Sequence, residues 1–193
     1  MTRAETQTKI LDAAFESLAD DGYRDTTMKE IAGRAGLATG LAHYYFDTKE
    51  DLLLAALEHG CPVAKLDLEG MPGLEQAATG FAAEKQWQIW NRDAYKVIFD
   101  MVGIGMHDPK VAEKIRGFLN ERRDIVTRIS EAVLAESPNP AGLSAPAIGA
   151  AIWGAFLGIA LQRLIDPEFD GDAALDALAL MALTSAQTTG EEA

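Results

Sequence analysis

The chain has 193 residues, 30 acidic against 17 basic side chains, and a formal net charge of −13. That length admits one or two domains with proper cores, and a lone cysteine, Cys61, excludes an internal disulfide framework and offers no metal-ligand spacing. So acidic a surface repels nucleic acid in general, so contact with a polyanion must come from a local patch.

The first helix is predicted from about Ala4 to Asp21, with Ile10, Leu11, Ala14, Phe15 and Leu18 on one face and Gly22-Tyr23 ending it. Thr26 and Thr27 can cap the next helix, and Glu30 follows Thr27 at the capping-box spacing. Met28, Ile31, Ala32 and Ala35 then share a face. Gly36 stops this helix, because the turn needs a residue tolerant of positive φ. Leu37, apolar inside the turn, should plug the angle between two helices. A second short helix is expected from Thr39 to Tyr45, with Gly40 allowing close backbone approach and His43, Tyr44 and Tyr45 able to donate hydrogen bonds. Phe46 closes it as a core anchor. Asp47-Thr48 then caps a helix from Lys49 to about Cys61, with Leu52, Leu53, Ala56 and Leu57 inside. Two short helices joined by a tight turn, with a third directly behind, form the layout of a helix-turn-helix reader of the DNA major groove.

The order Thr-x-x-x-Ile-Ala-x-x-Ala-Gly-Leu-x-x-Gly-x-x-x-x-Tyr-Phe-x-x-Lys-x-x-Leu, from Thr27 to Leu52, resembles the DNA-binding domain of the TetR family of repressors. The remainder of the chain fits that family by length and helical content. Two positions depart from its pattern. Ala38 stands where the family usually has Ser or Thr, leaving Thr39 to cap one residue later. His43 stands where a Tyr commonly touches a phosphate. A histidine can do the same as a donor, more strongly when protonated, which makes phosphate affinity depend on pH. The resemblance implies DNA-binding roles for Thr27, Lys29, Thr39, Gly40, Leu41, His43, Tyr44 and Lys49. Leu41 would meet a thymine methyl, Thr39 and Tyr44 would reach base edges or phosphates, and Lys29, His43 and Lys49 would position the backbone. Between Arg24 and Lys49 four cations face three anions, so this head is near neutral and most of the acid lies beyond residue 50.

Past Cys61, Pro62, Gly70, Pro72 and Gly73 mark a looser connection. One long helix is expected from Leu74 towards Val102, broken by Gly103 and Gly105. Asp108-Pro109 starts another, to about Ala135. Three prolines between Ser137 and Pro146 make a loop, and Ser144 starts an apolar helix that runs up to Ile165. Asp166-Pro167 ends it, and Asp172 caps a last helix from Ala173 to about Ala186. No segment reads as a bilayer span: Ala147 to Leu161 comes nearest but is too short, with Gln162-Arg163 following. The N-terminus lacks a signal peptide's apolar stretch, so a cytoplasmic location with no membrane partner is expected.

The apolar helix is greasy on nearly every side, and Gly149, Gly154 and Gly158 allow close approach. With the last helix it suggests a four-helix, two-fold dimer interface through Ile152, Phe156, Ile159, Leu164, Leu175, Leu178 and Leu183. The plainer alternative is a central core helix in a monomer. The aromatic and methionine-rich stretch from Trp87 to Met106 is either ordinary core or one wall of an effector pocket. Candidate ligand residues are Trp87, Trp90, Tyr95, Phe99, Met106, His107, Trp153 and Phe156, and acidic Asp93 and Asp100 nearby would suit a cationic ligand.

The expectation is an all-α chain in three parts. Residues 1–48 form a three-helix helix-turn-helix DNA-binding domain, 49–187 a larger helical effector-binding and dimerisation domain, and 188–193 a disordered tail. His43, His59 and His107 lack ligand spacing, and neither a phosphate loop nor a nucleophile motif is present, so no metal, cofactor or enzymatic activity is expected. The expected partners are a palindromic double-stranded operator, a small-molecule effector and a second copy of the chain. A DNA-binding regulator without effector and a helical carrier or enzyme with an apolar cavity are the alternatives.

Overall fold

A computed structural model describes residues 2–62, 66–139 and 141–187, with the side chain of Gln187 left aside. Nine helices occur among them and no strand: α1 (Arg3–Asp25), α2 (Met28–Arg34), α3 (Thr39–Tyr45), α4 (Lys49–Gly60), α5 (Gly73–Trp90), α6 (Arg92–Gly105), α7 (Pro109–Glu136), α8 (Ala145–Ile165) and α9 (Gly171–Gln187). The expected tail, 188–193, lies outside the described residues.

By packing, the chain divides into two compact units, and the division differs from the one expected at residue 48. The first comprises 1–63 with 93–118, and the second 64–92 with 119–193. Helix α4 belongs with the first unit because its Leu52, Leu53, Ala56 and Leu57 are fully buried, as are Ile10 and Ala14 of α1, and α1 packs on α4. Val97, Ile98 and Met101 of α6 and Val111, Ile115 and Phe118 of α7 are further buried side chains of this unit. Gly60 lets α1 and α4 approach closely, since a Cβ there would lie 2.3 Å from the Phe15 ring.

The second unit has its core at Phe81 of α5, Phe156 and Ile159 of α8, and Leu175 of α9. Trp153, Ile152, Val126 and Leu178 pack around them. Two close backbone approaches tie the unit together. A Cβ on Gly73 would strike the Ala132 backbone at 2.5 Å, and one on Gly149 the Thr127 hydroxyl at 2.4 Å.

Several sequence expectations change here. The long helix from Leu74 is two helices, because the chain leaves helical geometry at Asn91 (φ −122°, ψ 44°), whose side-chain amide donates to Trp87 O at 3.2 Å. Asparagine competes for backbone groups in this way. Gly103 lies inside the last turn of α6 without breaking it, and Gly105 is its last residue. At the start of α9 the cap is Asp170, whose carboxylate accepts from Ala173 N at 2.9 Å, while Asp172 pairs with Arg163. Helix α1 continues to Asp25, but Gly22 interrupts it with φ 72° where the sequence placed the stop.

The absence of a span-length apolar helix also needs correction. Helix α8 is 21 residues, with mean hydropathy 1.6, long and apolar enough to cross a membrane by length and composition. Its first residue is two earlier than the expected segment and its end takes in Gln162 and Arg163. Only 22% of its apolar window is buried within the chain.

Candidate nucleic-acid interface

The reading head is built by local rules. Thr27 caps α2 reciprocally: its hydroxyl accepts from Glu30 N at 3.2 Å, and the Glu30 carboxylate accepts from Thr27 N at 2.9 Å. Gly36, with φ 69°, makes the turn, and Leu37 N donates to Ala32 O at 2.9 Å. Leu37 is half-buried in the angle. Helix α3 starts from Ala38 with no side-chain cap. Thr39 is already inside the helix and does not replace the missing cap, contrary to the expectation.

Helix α3 buries Ala42, and Phe46 behind it, and leaves Gly40, His43 and Tyr44 exposed on its other side, with Thr39 and Leu41 half-buried at the flanks. Tyr44 is 70% exposed and meets Tyr45 edge-on at 5.4 Å. Tyr45 braces the helix from beneath: its hydroxyl donates to Arg3 O at 3.3 Å, and the Arg3 guanidinium sits 5.9 Å from its ring centre. A Cβ at Gly40 would touch nothing within 4 Å, so the bare backbone there faces open space.

The expected backbone-positioning residues divide. Lys29 is exposed. The Thr27 hydroxyl is engaged in its cap and in a 2.8 Å bond to Glu30. Lys49 is tucked inward. Its ammonium donates to Tyr23 O and lies 3.8 Å from the Tyr23 ring centre, and burial lowers its pKa. In this structure Lys49 binds the start of α4 to the end of α1. The count of four cations also overstates the positive charge of the head. Arg34 is held by Asp20 at 2.6 Å and Asp21 at 3.3 Å, with Glu16 at 4.0 Å, and the bond to Asp20 raises its pKa further.

Tyr23 was missed by the sequence reading, although an aromatic directly after a helix-breaking glycine was the available signal. Its hydroxyl donates to the Glu50 carboxylate at 2.5 Å, which, with burial and the charges of Glu50 and Asp108, pushes its pKa up to about 12. Its backbone N–H donates to Asp100 of α6 at 3.2 Å. Asp51, one residue on from Glu50, is bonded by Lys114 of α7 and by the Thr48 hydroxyl at 2.7 Å; these bonds, Lys114 first, hold its carboxyl below the usual range. Beside Tyr23 an open groove of about 590 Å³ is lined by Arg24, Asp100, Ile104, His107 and Asp108 among others.

The eight candidate ligand residues are shared between the two units. Tyr95, Phe99, Met106 and His107 belong to the first unit, and Trp87, Trp90, Trp153 and Phe156 to the second. Trp90 and Met106 are 77% and 72% exposed and line no core. Tyr95 is buried and stacks at a tilt on Phe99, ring centres 6.3 Å apart. In the second unit Phe156 packs edge-on against Phe81 at 5.5 Å and against Trp153 at 6.4 Å. Gln88, absent from the candidates, is buried beside them and donates to Phe156 O at 3.1 Å and to Glu84 at 2.8 Å. Gln88 Oε1 and Trp153 Nε1 are buried without a partner.

The candidate dimer residues also divide. Phe156, Ile159 and Leu175 are core of their own chain, and Ile152, Leu164, Leu178 and Leu183 are half-buried. The exposed apolar side chains on these helices are others: Leu161 and Ile165 on α8, Leu180 and Met181 on α9. Helical period explains the division. Residues 152, 156 and 159 face inward together, and 154, 158, 161 and 165 run along a different side. Gly154 and Gly158 on that side have open space at the Cβ position, whereas Gly149 serves the contact with α7.

Residues 10–56 match the family model of bacterial regulatory proteins of the tetR family. Over 70 residues the chain is 39% identical to the HTH-type transcriptional regulator BetI of Rhizobium meliloti (strain 1021), a match covering 36% of this chain and 34% of that protein. Among solved structures, the chain superimposes on a transcriptional regulator of Rhodococcus sp. RHA1 with TM-score 0.76 at 22% identity, covering 95% of this chain and 98% of that one. A regulator of Saccharomonospora viridis, solved in complex with choline, gives TM-score 0.71 at 17% identity, covering 91% and 94% of the two chains. Both likenesses are of fold. Residues 10–56 thus match the helix-turn-helix domain of tetR-family regulators, on a chain that shares the all-helical fold of the solved regulators.

Proposed function

We propose that the protein is a homodimeric, DNA-binding transcriptional regulator, most simply a repressor, that reads a palindromic operator with α3 and is released by a small-molecule effector. The observation that carries this reading is the construction of α3. Its apolar side is anchored by Ala42 and Phe46, and its outer side presents Gly40, His43 and Tyr44 to solvent with no partner helix over them. A helix held rigidly from behind and bare in front is what entry into a major groove requires. With Arg34 neutralised by α1, the exposed cations of the head reduce to few, Arg24 and Lys29 among them. Non-specific affinity is therefore low and binding depends on docked geometry.

Dimerisation is supported by the side of α8 that carries Gly154, Gly158, Leu161 and Ile165. It is apolar and uncovered, and its open glycines let a second helix come close. Ile165 at 77% exposed is hard to account for in an isolated chain. A second copy covering it would match the two-fold symmetry of a palindrome. A location where chromosomal DNA is accessible follows from the same reading.

An effector site is supported by the second unit's aromatic cluster of Phe81, Trp153 and Phe156, with its unpartnered Gln88 and Trp153 atoms, and by the choline held by the S. viridis protein. Effector binding would weaken DNA binding, and DNA would weaken effector binding by the same factor. A regulator without effector is the second reading, favoured by the exposure of Trp90 and Met106.

The test is selection of duplexes from a random library by the purified protein, followed by titration of the selected duplex at two salt concentrations. An enriched palindrome bound with a steep salt slope is the expected result. No enrichment by folded, ligand-free protein rejects the reading.

A further inference from the structure

The residues of α3 restrict which chemistry can recognise a base. Arginine and lysine read guanine, and asparagine and glutamine read adenine, each through paired hydrogen bonds in the major groove. Helix α3 is Thr-Gly-Leu-Ala-His-Tyr-Tyr, preceded by Ala38, and holds none of these four residue types. The neighbouring elements do not supply the deficit on α3 itself: exposed Arg24 lies in the last turn of α1. The Arg34 guanidinium is engaged by Asp20 and Asp21, Lys49 lies over Tyr23, and Arg3 over Tyr45. Lys29 is exposed but sits at the start of α2, the helix that crosses the phosphate backbone in this motif.

What α3 does offer is apolar carbon and single hydrogen bonds. Thr39 and Leu41 flank the outer side with methyl groups, and Gly40 between them has no side chain and open space before it. The helix backbone can therefore descend towards the groove floor and bring both flanks within van der Waals reach of base edges. The only apolar group in the major groove of B-DNA is the 5-methyl of thymine. His43 and Tyr44, both exposed, can each make one directional bond, which positions the helix without distinguishing all four base pairs.

We infer that this protein selects its operator chiefly by thymine methyl groups, contacted by Thr39 and Leu41 on either side of Gly40, and not by paired hydrogen bonds to purines. The inference rests on the DNA-binding reading above and adds the recognised chemical group. It makes each half-site rich in A·T pairs opposite α3, with discrimination spread over several weak contacts.

The experiment replaces each thymine of the selected duplex, one at a time, with deoxyuridine. This removes the methyl group and leaves every hydrogen-bonding atom in place. At constant salt, at least two positions per half-site should lose about fourfold in affinity, the worth of one buried methyl-sized group. Thr39→Ser keeps the hydroxyl and loses the methyl, and should abolish the uracil effect at one of those positions. Leu41→Ala should abolish it at the other. Circular dichroism checks that both variants fold. An enriched duplex indifferent to every uracil overturns the inference and leaves the DNA-binding reading standing. Sensitivity that persists at all positions in both variants also overturns it, because the methyl reader then lies outside α3. No enriched duplex at all removes the DNA-binding reading, and this inference with it.

Discussion

The head and the second unit solve the folding problem differently. In the head, most short elements carry their own stop and start: Thr2, Thr27 and Thr48 cap three of the first four helices, and Gly22 and Gly36 make the bends. In the second unit, α5 starts from Pro72 with no side-chain cap and depends on Gly73 lying against the α7 backbone. Among the described residues, the head has one buried side-chain atom without a partner, Ser17 Oγ, and the second unit has three, on Gln88, Trp153 and Arg163. Four of the second unit's large apolar side chains on α8 and α9 remain exposed. The head leaves less unsatisfied, whereas the second unit has more apolar surface and more polar atoms left for something else to satisfy.

The largest expected effect falls on the head's core. Leu52 is fully buried, so Leu52→Ala should cost about 2–5 kcal/mol in denaturant unfolding. An equal truncation of exposed Leu180 should change the stability of an isolated chain very little. Equal losses at the two sites would erase the contrast, or show that Leu180 is covered in solution.

That second outcome is sharpened by Leu180→Glu combined with Met181→Glu. Both side chains are more than 60% exposed, so the pair should leave the helical content intact. Sedimentation should show the mass falling from dimer to monomer. Operator affinity should drop on the order of a hundredfold, because the two half-sites are then bound independently. An unchanged mass would move the interface away from this end of α9.

The next two changes probe the head's own devices. Thr27→Ala removes a reciprocal cap and should cost about 1 kcal/mol, with faster amide exchange in the first turn of α2. Gly40→Ala separates stability from function. Nothing surrounds the position, so alanine should stabilise α3 by up to about 1 kcal/mol. The added methyl stands between α3 and the groove, and DNA affinity should fall. A variant that is both more stable and equally tight would show that α3 does not approach the bases closely at residue 40.

The contrast also explains what could be read in advance. The caps and turn of the head are decided within four or five residues, so Thr27, Glu30, Gly36 and Thr48 announced themselves. The break at Asn91, the inward sides of α8 and α9 and the place of Lys49 depend on partners far away in the chain. Lys49 is instructive. Its position in the motif suggested a phosphate contact, but whether its ammonium reaches out or folds over Tyr23 depends on where the end of α1 lies. The aromatic stretch divides for a related reason: a stripe in sequence says what is apolar, and burial of Tyr95 beside exposure of Met106 is decided by packing.

The smallest effect tests that Tyr23 contact. Tyr23→Phe keeps the ring under the Lys49 ammonium and removes only the hydroxyl that donates to Glu50. In the folded protein the phenol is held near 12, above its ordinary value of 10. The unfolded chain therefore loses this proton first. The stabilisation is complete below about pH 10 and declines as pH rises towards 12. The wild type should exceed the variant in denaturant midpoint by a small margin at pH 9, and the margin should narrow by pH 11. A margin that stays constant across that interval would mean the Tyr23–Glu50 bond is not formed in solution. The link between the end of α1 and the start of α4 would then rest on Lys49 alone.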